Sequence, residues 1–196
     1  MADIVLQRPN LPPGLKLVRD VITPSQEEAL LAACAKSPLR YYEQDPTNPR
    51  SRASFGWQHD IATDKFAPCA PIPEEFREIC GIAARFAGTE PDKIIECLVI
   101  RYEPGAKIQP HFDKPVFDRI VGLSLGSDAE MVFSRPDEAD GEDVIVTLPR
   151  RSMYMMSGDA RFAYRHGIPH VASIRWSMTF RTLTPQGEAL RRSFGA

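Results

Sequence analysis

The spacing of apolar and polar positions divides the chain into a helical first part and a β-rich second part. A strand-like run at residues 15–22 leads into a segment where Thr23 can act as a helix N-cap and Gln26 can close a capping box. Apolar residues at helical spacing predict a second helix over residues 73–88, and Gly88 can end it. The first part therefore supplies two helices.

Beyond residue 94 the pattern changes to short runs of strand length, separated by turn-like segments: IIECLVIRYE, RIVGLSLG, EMVFSR, DVIVTLP, SMYMMSG and SIRWSMTFRTL. An earlier run at residues 53–61, ASFGWQHDI, also alternates enough to form a strand. Helices followed by many short strands favour an α+β fold whose strands form a two-sheet sandwich or jelly roll. The length of 196 residues suits a single domain over residues 1–196.

The composition narrows the class of protein. Hydrophobic residues make up 43% of the chain and charged residues 26%, which excludes a mainly disordered protein. A net charge of −2 excludes a globally basic nucleic-acid binder, although it leaves room for a local basic patch. The chain lacks both an apolar stretch of ~20 residues and a signal-peptide pattern, so we expect a cytoplasmic protein. Its four cysteines form no C-x-x-C pair, and we expect them to be reduced and structural.

Two candidate metal ligands lie in the segment KIQPHFDK. His111 and Asp113 are two positions apart, so in a strand both side chains project from the same face. Imidazole and carboxylate together suit Fe, Mn or Zn, but the same pair is also common at an exposed strand end. A third ligand would come from FAYRHGIPH, which contains His166 and His170, and spacing alone does not decide between them.

The strand candidate SIRWSMTFRTL carries a second polar pattern. Arg175, Ser177, Thr179 and Arg181 fall at even spacing and share one face, while the apolar residues fill the other. One interpretation is an edge strand with a hydrated face. The other is a site for a small dicarboxylate, which two arginines can bind through charge-assisted hydrogen bonds.

In combination, these motifs resemble a known family. The order of H-x-D (111–113), H-G-I (166–168) and R-x5-R (175–181) is similar to that of the AlkB-like iron(II)/2-oxoglutarate dioxygenases. The segments RYEPGAKIQPHFDKPVF, IVGLSLGSDAEMVF and SFGW strengthen the likeness, which spans residues 50–183. It implies a double-stranded β-helix (jelly-roll) core over residues 94–183. The N-terminal extension and substrate-recognition hairpin would occupy residues 1–93, with the helices packed on one sheet.

The resemblance also implies a set of site residues. His111, Asp113 and His166 would form a 2-His-1-carboxylate facial triad for Fe(II), which leaves coordination positions for 2-oxoglutarate and O2. Around the co-substrate, Arg175 would pair with its distal carboxylate and Arg181 would lie toward the other end. Tyr102 would hydrogen-bond the co-substrate, and two further residues would line the same face: Ser177 and Thr179. His59 and His170 are expected to have other roles.

The chemistry that the family implies is oxidative demethylation. Decarboxylation of 2-oxoglutarate gives succinate and CO2, and the hydroxylated N-alkyl carbon is then lost as an aldehyde. The expected partner is alkylated DNA or RNA, with no membrane association and a monomeric protein. In RSRASFGWQHD, Arg52, Phe55 and Trp57 are candidate substrate-binding residues, since arginine suits phosphate and aromatic rings stack on bases. The alternative is that the two aromatic rings belong to the core of the sheet.

Two positions depart from the family pattern. Ile100 stands where many members carry an asparagine that hydrogen-bonds 2-oxoglutarate. Pro115 stands where some DNA-repairing members carry an acidic residue that reads the target base, so it is a further candidate for setting substrate choice. The alternatives are the same oxygenase chemistry on a protein side chain or small metabolite, and a non-catalytic jelly-roll binding module. A zinc hydrolase could use the same ligands but would not explain the paired arginines.

Overall fold

A computed structural model describes residues 11–41, 48–60, 65–137 and 142–194. The helices are α1 (Pro24–Ala35), α2 (Arg77–Ala87), α3 (Gly158–Phe162) and α4 (Pro185–Ser193). The strands are β1 (Leu15–Val18), β2 (Arg40–Tyr41), β3 (Arg50–Asp60), β4 (Lys65–Pro68), β5 (Glu96–Tyr102), β6 (Ile108–His111), β7 (Phe117–Leu125), β8 (Ala129–Ser134), β9 (Val144–Leu148), β10 (Met153–Met156), β11 (Arg165–Ile168) and β12 (Arg175–Leu183). Short 3-10 turns occupy Glu74–Phe76 and Pro91–Lys93.

The strands form two antiparallel sheets that face each other. The larger sheet has the order β1-β10-β7-β12-β5-β3-β2, and β4 pairs with β3 at its side. The smaller sheet has the order β6-β11-β8-β9. Most neighbouring strands in each sheet are distant in sequence, as in a jelly roll, and the predicted α+β jelly-roll fold is confirmed.

The two N-terminal helices cover the outer face of the larger sheet. Helix α1 starts at the predicted capping box, where Thr23 Oγ1 accepts from the Gln26 amide at 3.2 Å and the Gln26 side chain accepts from the Thr23 amide at 2.9 Å. Helix α2 ends at Gly88, whose φ of 66° lies in the left-handed region. Apolar residues of both helices, including Leu30 and Ile79, pack on the sheet in one buried cluster. No helix among the described residues is long and apolar enough to cross a membrane.

Strand alternation decides which side chains meet the helices and which face the space between the sheets. On β12, Trp176, Met178 and Phe180 belong to the helix-side core. The intervening polar residues line a cavity between the sheets, as their even spacing predicts. On β5, Cys97 and Val99 face the helices, and the even-numbered residues of the strand face the cavity. The fold therefore has one core between sheet and helices, and a second buried cluster between the sheets, which also enclose the cavity.

Strand β3 changes its pairing partner at Gly56. Residues before Gly56 pair with β5, and residues from Trp57 onward pair with β4. Gly56 has a φ of 83°, and a Cβ atom there would lie 2.2 Å from the carbonyl oxygen of Ile95. Only glycine fits this combination of backbone conformation and close approach. The irregularity interrupts the regular alternation of side chains along β3, so the residues before and after Gly56 do not follow one pattern of faces.

Candidate active site

Two strands of the smaller sheet bring the predicted histidines together. In the pairing of β6 with β11, His111 lies directly opposite His166, and the two ring centroids are 4.6 Å apart. Gly167 permits this approach, because a Cβ atom there would lie 2.7 Å from the carbonyl oxygen of Ile108 on β6. The glycine that follows the second histidine therefore has a packing role. It lets β11 lie close against the strand that carries the first histidine.

Asp113 completes a compact group of three ligands. The candidate ligand atoms of His111, Asp113 and His166 all lie within 4.8 Å of one another. His166 Nε2 is 3.4 Å from Asp113 Oδ2, and both side chains are largely buried. Among the described residues, this is the one group of three or more metal-ligating side chains at such distances.

Hydrogen bonding prepares this group for a metal. His111 Nδ1 donates to the carbonyl oxygen of Gln109 at 3.0 Å, which leaves the lone pair of Nε2 for coordination. Burial lowers the pKa of His111 below its ordinary value, and the neighbouring His166 lowers it further, so the ring is neutral at physiological pH. Two imidazoles and a carboxylate form a donor set that suits non-haem Fe(II).

A guanidinium holds the carboxylate of this group ionised. Arg181 Nη2 donates to Asp113 Oδ1 at 2.9 Å. Burial by itself would raise the pKa of Asp113, but Arg181 and the contact with His166 hold it well below its usual range. Asp113 is therefore an anion over the whole physiological range. Arg181 thus binds the candidate metal ligand Asp113 directly, a contact that the sequence did not predict.

The opposite end of the β12 face carries a buried cation with unsatisfied donors. Arg175 is 1% exposed, and its Nε and Nη1 atoms have no hydrogen-bond partner. Its guanidinium lies over the Tyr102 ring, 4.8 Å from the centroid, and Tyr102 Oη is 3.5 Å from Ser177 Oγ. A buried guanidinium without an anion is costly, so this arrangement fits a ligand carboxylate.

One cavity of about 520 Å³ joins these features. It is lined by all three candidate metal ligands and by the predicted co-substrate residues, including Thr179. Ile100, which replaces the family asparagine, lies at its buried wall opposite Ser177. His59 also lines the cavity, whereas the Nδ1 atom of His170 donates to the carbonyl of Gly105 at 2.7 Å. The structure thus separates the two histidines that spacing left open, and His166 is the one in the site.

The predicted substrate residues do not all reach this cavity. Arg52 lines it. Phe55 precedes the irregularity in β3 and packs in the helix-side core against Phe76, with ring centroids 5.8 Å apart. Trp57 follows the irregularity and stacks on Phe66 at 5.1 Å, so neither aromatic ring lines the cavity as predicted. Phe55 is buried, whereas Trp57 is half-buried and its ring also contacts that of the exposed Phe194.

Pro115 is the fourth predicted substrate residue. It is exposed in the loop after Asp113 and does not line the cavity. Its carbonyl accepts a hydrogen bond from Thr184 Oγ1 at 3.2 Å. The position that carries an acid in some family members is therefore part of the cavity's surroundings here rather than of its wall.

Two further residues, Glu96 and Arg161, are buried beside the site. Glu96 is 3% exposed, lines the cavity and accepts from Arg181 Nη1 at 2.9 Å. Burial raises its pKa, and Arg181 acts in the opposite direction. Arg161 is 1% exposed and donates to the carbonyls of Lys114 and Phe117, so it secures the loop after Asp113. In the sequence, Glu96 is recognisable as a lone acid in the apolar run IIECLVI, and in a strand it lies on the same face as Tyr102.

Comparison with known proteins accounts for this arrangement. A family model for the 2OG-Fe(II) oxygenase superfamily matches residues 14–186. The AlkB dioxygenase of Salmonella typhimurium is 35% identical over 136 residues, which is 62% of this chain and 60% of that protein. The chain belongs to the AlkB-like 2OG-Fe(II) oxygenases. Its cofactors are those of the family, Fe(II), 2-oxoglutarate and O2.

Other relatives and structures extend the comparison. A Xenopus tropicalis protein named tRNA (carboxymethyluridine(34)-5-O)-methyltransferase alkbh8 is 32% identical over 168 residues. That match covers 82% of this oxygenase but 26% of the relative, so the chain spans about a quarter of its length. Among solved structures, OsALKBH1 superposes with a TM-score of 0.69 at 19% identity, covering 88% of this chain and 98% of that one. A Pseudomonas putida prolyl-4-hydroxylase reaches 0.61 at 14% identity. These two structural likenesses concern the fold.

Proposed function

We propose that this oxygenase oxidatively demethylates N-alkylated bases in DNA or RNA and releases succinate, CO2 and an aldehyde. The observation that carries the proposal is a single cavity. The triad of His111, Asp113 and His166 lines this cavity, and so does the buried Arg175, which lacks partners for two of its nitrogen atoms. This pairing of a metal donor set with a carboxylate-binding cation fits Fe(II) and 2-oxoglutarate together.

In this proposal, different residues of the chain bind the metal and the co-substrate. His111, Asp113 and His166 would hold Fe(II), which supplies the activation of O2 that the protein side chains cannot supply themselves. Arg175 would bind the distal carboxylate of 2-oxoglutarate, and Tyr102 would donate a hydrogen bond to the same co-substrate. The neutral state of His111 and the ionised state of Asp113 match what ligation requires.

The walls of the cavity orient the reactants and limit water. Apolar side chains such as Leu98, Met131 and Ile168 also line it. A dry wall of this kind strengthens each ion pair in the site and restricts side reactions with water. Arg52 lines the same cavity on the β3 side, where we propose that it contacts the nucleic acid.

The nucleic-acid substrate is supported by the relatives rather than by a base-stacking ring in the cavity. The named AlkB and alkbh8 relatives reach 35% and 32% identity to this chain. The Phe55 ring is buried in the helix-side core, and the half-buried Trp57 ring stacks on Phe66 and does not line the cavity. Base contacts would therefore come from other lining residues, such as His59 and Phe112.

A second candidate substrate is a modified uridine of transfer RNA. The name of the Xenopus relative refers to carboxymethyluridine at position 34 of tRNA. Adenine alkylated at N1 and cytosine alkylated at N3 are cations at neutral pH, whereas a carboxymethyl group is an anion. The cavity wall on β3 carries Arg50 and Arg52, and the acid that some family members place at position 115 is absent. In this candidate the oxygenase would hydroxylate the substituent instead of removing a methyl group.

A product assay separates the candidates. The iron-loaded protein would be incubated with 2-oxoglutarate and methylated DNA, methylated RNA or carboxymethyluridine-containing tRNA, and the nucleosides analysed by mass spectrometry. We expect loss of 14 mass units from a methylated base with matching formaldehyde, roughly one aldehyde per base repaired. Gain of 16 mass units on uridine would favour the second candidate. Turnover of 2-oxoglutarate with no change in any nucleoside would contradict both.

A further inference from the structure

Arg181 lies between two buried carboxylates. Its Nη1 atom donates to Glu96 Oε2 at 2.9 Å and its Nη2 atom donates to Asp113 Oδ1 at 2.9 Å. The three side chains are 11%, 4% and 9% exposed for Arg181, Glu96 and Asp113 respectively. Arg181 therefore links the candidate metal ligand Asp113 to Glu96, an acid outside the triad.

The position of Glu96 follows from sheet register. Glu96 on β5 pairs directly with Arg181 on β12, so the two side chains leave the sheet on the same face. The guanidinium also lies over the Phe117 ring, 5.1 Å from its centroid. Glu96 at one end and the ring beneath it therefore restrain the plane of the guanidinium before it reaches Asp113.

This restraint matters because a guanidinium tends to bind a carboxylate with two parallel hydrogen bonds. If Arg181 bound Asp113 in that way, it would occupy both carboxylate oxygens, including the one needed by a metal. Here the second donor is directed to Glu96, and Asp113 Oδ2 instead faces His166 Nε2 at 3.4 Å. Glu96 thus divides the two donors of Arg181 between two acids.

We propose that Glu96 is a positioning residue for the metal site: by binding Arg181 Nη1, it restricts Arg181 to one oxygen of Asp113 and keeps the other oxygen available to Fe(II). Hydrogen bonds to a ligating carboxylate typically change metal affinity about 10- to 100-fold when they are lost. The proposal depends on the triad and not on the nucleic-acid substrate.

Metal titration tests this role without any substrate. The affinity of the metal-free protein for Mn(II) would be measured by calorimetry for the wild type, Glu96→Gln, Glu96→Asp and Glu96→Leu. Gln keeps an acceptor oxygen at the same reach, Asp keeps the charge but is one methylene shorter, and Leu removes the acceptor. Glu130→Leu serves as the matched control, because Glu130 is an exposed strand residue outside the cavity.

The expected pattern is a graded one. Glu96→Leu and Glu96→Asp should weaken Mn(II) binding by about 10-fold or more, while Glu96→Gln and the control stay within about threefold of the wild type. Wild-type affinity in both the Leu and Asp variants would overturn the proposal. Equal losses in Gln and Leu would also overturn it, because they would make charge rather than position the cause. If Glu96→Leu does not fold, the contrast between Gln and Asp still decides.

The titration is also independent of the proposed function. Failure to demethylate any nucleic acid would leave the Mn(II) affinities of the Glu96 variants unchanged. Conversely, a normal affinity in all of them would remove the role of Glu96 while leaving the substrate proposal untouched. The two proposals therefore fail through different measurements.

Discussion

The buried end of the cavity allows a quantitative prediction about Arg175. Two of its nitrogen atoms lack partners although the side chain is 1% exposed, so the site is prepared for an anion. Replacing Arg175 by lysine keeps the charge but removes the planar pair of donors. Replacing it by methionine removes both charge and donors while retaining most of the packing against Tyr102.

The size of the effect follows from the hydrogen bonds at stake. One charge-assisted hydrogen bond contributes roughly 1.5–3 kcal/mol, so Arg175→Lys should weaken 2-oxoglutarate binding about 10- to 150-fold. Arg175→Met leaves a buried ligand carboxylate unpaired, which costs roughly 2–5 kcal/mol, or about 30- to 5,000-fold. Mn(II) affinity should stay within about threefold, because Arg175 forms no hydrogen bond to the triad residues.

Calorimetric titration of 2-oxoglutarate into Mn(II)-loaded protein measures this effect, and steady-state kinetics should show it mainly in the KM for 2-oxoglutarate. Arg101→Lys is a matched control, since Arg101 lies on the neighbouring strand with its guanidinium over Trp176 on the helix side of the sheet. An affinity of Arg175→Met within twofold of the wild type would refute the assignment of the carboxylate site.

Three further predictions concern the triad, its loop and the stability of the fold. Asp113→Ala should abolish 2-oxoglutarate turnover while the far-ultraviolet circular dichroism stays native; retained activity would exclude Asp113 as a ligand. Arg161→Met should raise amide hydrogen exchange between Lys114 and Phe117, whose carbonyls Arg161 binds, and unchanged protection would contradict that role. Glu27 is fully buried and forms an ion pair with Arg150. Burial by itself raises the pKa of Glu27, but Arg150 and its other partners outweigh burial and lower the pKa below 4.5. Its stabilising effect is therefore present above pH 4.5 and lost as the pH falls through the lowered pKa. In urea unfolding, Glu27→Gln should cost about 2 kcal/mol at pH 7 and progressively less below pH 4.5; an equal cost at both pH values would contradict this.

The sequence predicts the polar face of β12 well, because its information is local. Alternation with period two places Arg175 and Arg181 on one face whatever the tertiary context, and the structure has them there. The helix boundaries at Thr23 and Gly88 were equally local, since a capping box and a left-handed glycine act within one turn. Features of this kind need no knowledge of distant partners.

The sequence is less informative where the backbone departs from regular alternation. A single irregularity at Gly56 decides that Phe55 packs against the helices and that Trp57 packs against Phe66. Composition alone made both rings plausible base-stacking residues. The sequence also does not decide between His166 and His170 as the third ligand. That choice depends on the register between β6 and β11, which cannot be read from spacing along the chain.

Glu96 shows another reason why the sequence alone does not predict the whole site. A single acid in an apolar strand is unusual enough to notice, but its meaning depends on a cross-strand neighbour 85 residues away. Only the register of β5 with β12 reveals that it binds Arg181, and only the loop geometry reveals that Arg181 also binds Asp113. Pairings of this range are set by topology rather than by local sequence.

The most direct test of the account is the release of succinate from 2-oxoglutarate by the Fe(II)-loaded protein, with methylated and unmethylated oligonucleotides of the same sequence. We predict Fe(II)-dependent succinate formation that methylated DNA or RNA stimulates, at roughly one succinate per aldehyde released. The absence of any 2-oxoglutarate turnover by correctly folded, Fe(II)-loaded protein, even without a nucleic-acid substrate, would contradict the assignment of the cavity.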